Sequence, residues 1–268
     1  MASNSFLAND QCDDSVAEGP SAIPENNSSK LHPYVDEEKK CIRDGSSNSK
    51  LWHLEKESYV EQCKLWPQHG QHILAHFDDS SVVVYQAFKK SIAKFAVENQ
   101  KFGGPDYNPD RMSWIKTNFM WMMYRCGWAQ KRNQERVLAI RITKEGFEDI
   151  LSKAYTPWRQ KSEGLETREI EVRLQWDPDH DPHGTKLERR AIQLGLKGKI
   201  LHAFTEAFIV NIEDITDFVT EQYDILQDQG TKKILSPKER IYLPSQDKTC
   251  RDIGLDFFSQ QKVVAFSS

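Results

Sequence analysis

The hydrophobic pattern first separates strands from helices. Residues 81–88 (SVVVYQAF) are rich in β-branched and aromatic residues, as expected of a buried strand. Residues 89–100 follow at helical spacing, with Ile92, Phe95, Ala96 and Asn99 on one face. Gly103-Gly104-Pro105 ends that unit, and 106–110 reads as a polar loop. Tryptophans then recur every seven residues at 114, 121 and 128, with Ile115, Phe119 and Met122 at helical spacing beside them. This predicts a helix over about 111–125 that stops at Gly127. Residues 137–143 predict a strand, and 144–154 a short helix with Phe147, Ile150 and Leu151 inward.

From 169 to 176 the alternation is strict, with Ile170, Val172, Leu174 and Trp176 on one face and Glu171, Arg173 and Gln175 on the other. That pattern predicts a half-buried strand. Residues 177–184 (DPDHDPHG) read as a loop, 191–196 and 208–212 as strands, and 199–206 as a helix. Ile215, Phe218, Val219, Gln222, Ile225 and Leu226 predict an amphipathic helix to about 228. A Pro-flanked basic segment (232–244) and an apolar pair, Val263-Val264, complete the chain. Strands and helices mix without regular βαβ alternation, so the fold class expected is α+β: a single mixed domain over 52–245, with a central, mainly antiparallel sheet and flanking helices. A C-terminal extension, 246–268, follows it.

Charge then changes the picture. The 268 residues carry a net charge of −4, and residues 1–50, with nine acids against five bases, account for all of it. That segment is rich in Ser, Asn, Asp and Glu and has no apolar period, so it is expected to be a disordered acidic tail. It carries neither the basic start and apolar run of a signal peptide nor the composition of a transit peptide. Seven Trp, eight Tyr and thirteen Phe exclude a wholly disordered chain, and no apolar run is long enough for a membrane span. Five cysteines without a close pair fit a reducing compartment, cytoplasmic or nuclear.

Behind the tail the charge is balanced but segregated. Residues 111–136 hold Arg111, Lys116, Arg125, Lys131, Arg132 and Arg136 against Glu135 alone, interleaved with Trp114, Trp121, Tyr124 and Trp128. Cations neutralise phosphates and aromatic faces stack bases, so this mixture suits a nucleotide or a nucleic acid. Trp121 and Trp128 equally suit a core. A second basic run covers 186–199, whereas 200–230 holds seven acids and no base, the pattern of a solvated helix face. Glu206 and Glu213 flank the apolar strand at 208–212 and are candidate catalytic carboxylates.

Two other clusters read as structural. His69, His72 and His76 have the spacing of one face of a surface helix, and no linked Cys or carboxylate completes a metal site. The acids and histidines of 177–183 read as a capped turn, without the spacing of a calcium loop. P-loop, dinucleotide-binding, HExxH, nucleophile-elbow and kinase patterns are absent, as is the KxDG of nucleotidyl-transferring ligases.

Six phrases in order carry a resemblance: VVVYQAF (82–88), RMSWIKTNFMWMMYRCGW (111–128), ERVLAIRIT (135–143), VRLQWDPDHD (172–181), RAIQLGL (190–196) and EAFIVNIEDIT (206–216). Over about 80–245 the chain resembles domain-of-unknown-function family 4291, whose name implies no activity. Element order is also similar to the ADP-ribosyltransferase fold, with an early strand and helix (VVVYQAF, then IAKFAVENQKFGG) and a late glutamate beside a strand (EAFIVNIEDIT). Tyr85-Gln86 stands where that fold carries His or Arg, and no middle motif is present.

The leading expectation is therefore a transferase acting on a nucleotide or nucleic acid, with NAD the cofactor that the fold comparison implies. Arg111, Lys116 and Arg125 would hold phosphates, and Tyr85 and Trp114 would stack a ring. Gln86 and Gln193 would hydrogen-bond that ring, and Glu206 would be the catalytic acid or base. The alternatives are a non-catalytic RNA or single-strand-binding module and a protein-interaction domain. The last requires that Arg111, Lys116 and Arg125 diverge in space.

Overall fold

A computed structural model describes residues 54–256. The expected tail at 1–50 and the apolar pair Val263-Val264 lie outside them. The chain begins with β1 (Lys56–Ser58), α1 (Tyr59–Cys63), β2 (Gly70–Gln71), β3 (Ile73–Ala75), β4 (Ser81–Phe88) and α2 (Lys90–Asn99). Next come β5 (Ser113–Lys116), α3 (Phe119–Cys126), β6 (Arg136–Thr143), α4 (Lys144–Ser152), β7 (Ala154–Tyr155) and α5 (Pro157–Ser162). Then follow β8 (Val172–His180), β9 (Lys186–Leu196), α6 (Gly198–Ala203), a π-helical turn over Phe204–Phe208, β10 (Ile209–Asp214) and α7 (Thr216–Gln229). The strands β11 (Leu235–Pro237) and β12 (Arg240–Tyr242) and the helix α8 (Asp247–Ile253) end the described part.

The fold is α+β. The main sheet has the order β10-β6-β4-β5-β9-β8-β7, with β2 alongside β9. All neighbours on that path are antiparallel except β7 and β8, and β2 joins β9 in parallel. Side chains alternate between the two faces of each strand, and helices cover both faces. On one face Val82, Val84, Ile115, Leu138, Ile140, Leu174, Ile192, Leu194 and Ile212 pack against α2, α4, α6 and α8 in one apolar core. On the other, Val83, Tyr85, Val137 and Ala139 pack against α1, α3 and α7.

Strand 81–88 and the helices at 89–100, 144–154 and 215–228 form as the pattern predicts, to within two residues at each end. The helix expected over 111–125 does not: residues 113–116 are β5, a central strand between β4 and β9. Ser113–Lys116 pairs with Leu196–Gln193, which fills the backbone hydrogen-bonding positions a helix would have left open inside the sheet. The helix starts only after Asn118, whose side chain accepts from the Trp121 backbone N–H at 2.7 Å, and Gly127 ends it in the left-handed region at φ +58°. Trp114 therefore stands on a strand, while Trp121 and Trp128 are buried.

The histidine helix is also absent. Pro67 and Gly70, the latter at φ +84°, break helical continuity, and the segment runs on as β2 and β3 with His72 and His76 buried. Residues 177–180, expected in a loop, continue β8, and only 181–184 form the turn. There Asp181 accepts from the His183 and Thr185 N–H groups, the capping read from the sequence. Within the segment expected to be an extension, α8 buries Cys250 and Ile253 in the apolar core.

Candidate functional site

The β-ladders dictate which polar residues meet. Residues directly opposite in antiparallel strands share a face. One row therefore crosses the sheet as Glu213 (β10), Ala139 (β6), Tyr85 (β4), Lys116 (β5), Gln193 (β9) and Gln175 (β8). The neighbouring row places Trp114 beside Gly195 and Gly195 beside Arg173. Trp114 lies against Gly195 itself, since a Cβ there would sit 2.9 Å from Trp114 Cζ2. Asp177 follows Gln175 on the same face.

Helix α3 covers part of this face and leaves part open: Tyr85 and Lys116 are buried, Trp114, Arg173, Asp177 and Gln193 half-buried, and Gln175 exposed. Lys116 is the unusual member. Its side chain is 5% exposed, and its Nζ donates to the Trp114 carbonyl at 3.3 Å. Burial first, and then the charge of Arg125, lowers its amine to about 7 against the opposing pull of Asp177 and Cys126. The Gln193 amide donates to Asp177 Oδ2 at 2.6 Å and to Gln175 Oε1 at 2.8 Å. Burial raises the Asp177 carboxyl, against the pull of Gln193 and Lys116. Arg125 is exposed at the end of α3, and the Arg173 Nε is buried with no protein partner. The cluster thus offers two guanidinium groups, a weakly solvated amine, an acid–amide pair and an indole.

A second polar group lies deeper on the same face. Asp179 and Arg189 form a buried ion pair, with the Arg189 Nη2 and Nε 2.5 and 2.9 Å from Asp179 Oδ2. Glu239, from the short segment before β12, is fully enclosed and accepts from the Phe119 N–H at 2.6 Å and the Asn118 amide at 3.0 Å. It thereby caps α3 a second time, although burial drives its carboxyl well above the usual range. His180 is stacked on Tyr124 at 3.5 Å between ring centroids, and neither ring nitrogen has a protein partner. Glu239 at its first turn and His180 against Trp121 and Tyr124 anchor α3 over the sheet, and Arg125 follows Tyr124 on that helix.

The structure brings together Lys116, Arg125, Trp114 and Gln193 from the expected site. Arg111 is on the exposed loop leading to β5. Tyr85 is fully buried, edge-on to Phe119, so its ring offers no face to a base. Gln86 points to the opposite face, where it donates to Ser113 Oγ at 2.7 Å; adjacent strand residues cannot frame one ring from the same side. Glu206 is exposed on the π-helical turn, whose Phe204 packs into the core of that opposite face. Glu213 shares the row with Lys116 but lies across Ala139 and Tyr85 from it.

Sequence reasoning missed Arg173, Asp177, Asp179, Arg189 and Glu239. For the first three the signal was present, because the alternation through Arg173 and Gln175 continues to Asp177 and Asp179. Nothing in the Pro-flanked basic segment marks Glu239. The acids of α7 (Asp217, Glu221, Asp224, Asp228) line a shallow groove of the wrong sign for an anionic ligand. Among the described residues, no group of three or more His, Cys, Asp or Glu is placed to hold a metal ion, and no helix is long and apolar enough to cross a membrane. Cys63, Cys126 and Cys250 are free thiols.

A family model with the description Domain of unknown function (DUF4291) matches residues 72–242. No curated protein matches the chain.

Proposed function

The chain belongs to the DUF4291 family, whose description assigns no activity, and we propose from the site itself that the open part of the polar sheet face binds a nucleotide and carries group transfer on it. The observation that supports this reading is the meeting of Trp114, Lys116, Gln193 and Arg125 at the edge of α3. Trp114 would stack the base, Arg125 and Arg173 would hold phosphate, and Gln193 and Gln175 would hydrogen-bond the base or ribose. Lys116, whose amine and ammonium forms are both populated near pH 7, takes the chemical role expected of Glu206, with Asp177 as its proton partner. ADP-ribosyl transfer from NAD would need Tyr85 and Glu206 at one site. One is enclosed in the core and the other belongs to the opposite layer, so the Lys116 cluster carries the reading without it.

Equilibrium binding of ATP, GTP, NAD and a short single-stranded RNA tests the proposal. The expected result is saturable binding of at least one of them, weakened about tenfold by Arg125→Ala and by Trp114→Ala. No binding, or binding indifferent to both substitutions, overturns it. A non-catalytic single-strand-binding module is the second reading. It is favoured by Tyr124, 40% exposed with Lys131 Nζ 5.7 Å from its ring centre, and by the exposed Arg132 nearby in sequence. It predicts steep salt dependence and no loss of any measured property in Lys116→Arg.

A further inference from the structure

Most buried lysines are paired with a carboxylate. Lys116 is not: its Nζ donates to one neutral acceptor, the Trp114 carbonyl, no carboxylate lies within ion-pair distance of it among the described residues, and Asp177, the acid that acts on it from the next strands, is occupied by Gln193. An amine held this way is a nucleophile kept from its ammonium form by its surroundings. The groups around it point to what it meets. Arg125 and Arg173 supply guanidinium donors for a phosphate, Gln193 and Gln175 supply amides suited to hydroxyls, and Trp114 supplies an apolar wall.

We propose that Lys116 forms an imine with the aldehyde carbon of a sugar phosphate, a role that rests on the phosphate-binding reading of this face. The Nζ lone pair attacks the carbonyl carbon and the carbonyl oxygen takes up a proton, giving a carbinolamine as the amine loses one. The hydroxyl then leaves as water, protonated from Asp177, while the nitrogen lone pair closes the C=N bond. Carbon, nitrogen and oxygen balance, and no oxidant or metal takes part. Asp177 fits the acid step because its carboxyl is raised by burial, and Gln193 fixes its orientation. The same aldehyde chemistry occurs in an open-chain pentose phosphate and in an abasic sugar within a nucleic-acid strand.

Reductive trapping separates these outcomes. The full chain is incubated with cyanoborohydride and ribose 5-phosphate, ribose, or a single-stranded oligonucleotide carrying one abasic sugar, and the adduct is mapped by peptide mass. The expected result is one adduct, on Lys116, forming about tenfold faster with ribose 5-phosphate than with ribose, as one charge-assisted phosphate contact implies. Arg125→Ala should reduce the rate toward that of ribose. Trapping of the oligonucleotide alone would identify the strand as the source of the aldehyde, and trapping of ribose 5-phosphate the free sugar. Lys116→Arg and Lys116→Met should both lose the adduct, and the wild-type peptide map stands even if either fails to fold. No adduct with any of the three, equal labelling of other lysines, or trapping of ribose as fast as of ribose 5-phosphate overturns the proposal. If nucleotide binding survives while no adduct forms, the imine fails alone; if both are absent, the reading of the face fails with it.

Discussion

The two faces of the sheet use the same strands and are built on different physics. On the face under α2, α4, α6 and α8, β-branched and aliphatic side chains from six strands interlock, with Gln86 the chief buried polar exception. On the face under α1, α3 and α7, the same alternation delivers Tyr85, Lys116, Asp177, Asp179 and Arg189, joined there by Glu239 from outside the sheet. Burying an ionisable group costs several kcal/mol unless it is paired, and apolar burial carries no such cost. The first face is held by apolar burial almost throughout, whereas the second joins an apolar cluster under α1, α3 and α7 to buried ionisable groups that must be paired. The second concentrates shifted titratable groups beside half-buried and exposed polar positions of the same face, which is why the candidate site is placed there.

Four substitutions would break or sharpen this contrast. Asp179→Ala leaves the Arg189 guanidinium buried without its carboxylate and should destabilise the fold by about 4 kcal/mol in denaturant unfolding. Lys116→Met should act in the opposite direction. Its amine falls from 10.5 to about 7 on folding, so between those values the unfolded chain binds more protons and wild-type stability rises with pH. The burial cost is fully present below about 7 and is lost toward 10.5, modulated by the facing Arg125, Asp177 and Cys126. Lys116→Met should therefore gain on the order of 3 kcal/mol at pH 6, and the gain should shrink steadily as pH rises. Thermal unfolding of both proteins across pH measures it, and a pH-independent difference would remove Lys116 from the special groups.

Glu239→Ala should cost about 2 kcal/mol, because the Phe119 N–H and the Asn118 amide lose their shared acceptor. It should also weaken nucleotide binding by loosening α3 and hence Arg125. Ile140→Val, on the apolar face, should cost about 1 kcal/mol by urea titration and leave binding untouched. If Ile140→Val impairs binding as strongly as Glu239→Ala does, the functional separation of the faces fails.

Local order was well marked in the sequence wherever one periodicity dominated. The strand at 81–88 and the helices at 89–100 and 144–154 each carry a single pattern and a matching terminus. The segment 111–128 carries two patterns at once. Its seven-residue tryptophan spacing crosses a boundary at Asn118, where a short central strand hands over to a helix. Only the partners of β5, distant in sequence, decide between them. Of the candidate site, composition marked one part: Trp114, Lys116 and Arg125 from the basic-aromatic segment 111–136 meet at the edge of α3, whereas Arg111 of the same segment lies on the exposed loop before β5. Its other half was not marked: the ladder sets Tyr85 and Lys116 side by side, the crowding of acids and histidines at 177–183 reads as a turn and hides the strand that carries Asp177 on from Arg173, and nothing in the segment before β12 marks Glu239. Glu206 followed from position beside a strand, and position along the chain does not say which face of the sheet a flanking turn will cover.

The most direct test is NMR titration of the lysine side chains in isotopically labelled protein, with the Lys116 signal identified by its loss in Lys116→Arg. The account predicts one lysine that titrates near 7 and moves when a nucleotide is added. A Lys116 that titrates near its ordinary 10.5 and does not respond to any nucleotide would contradict it.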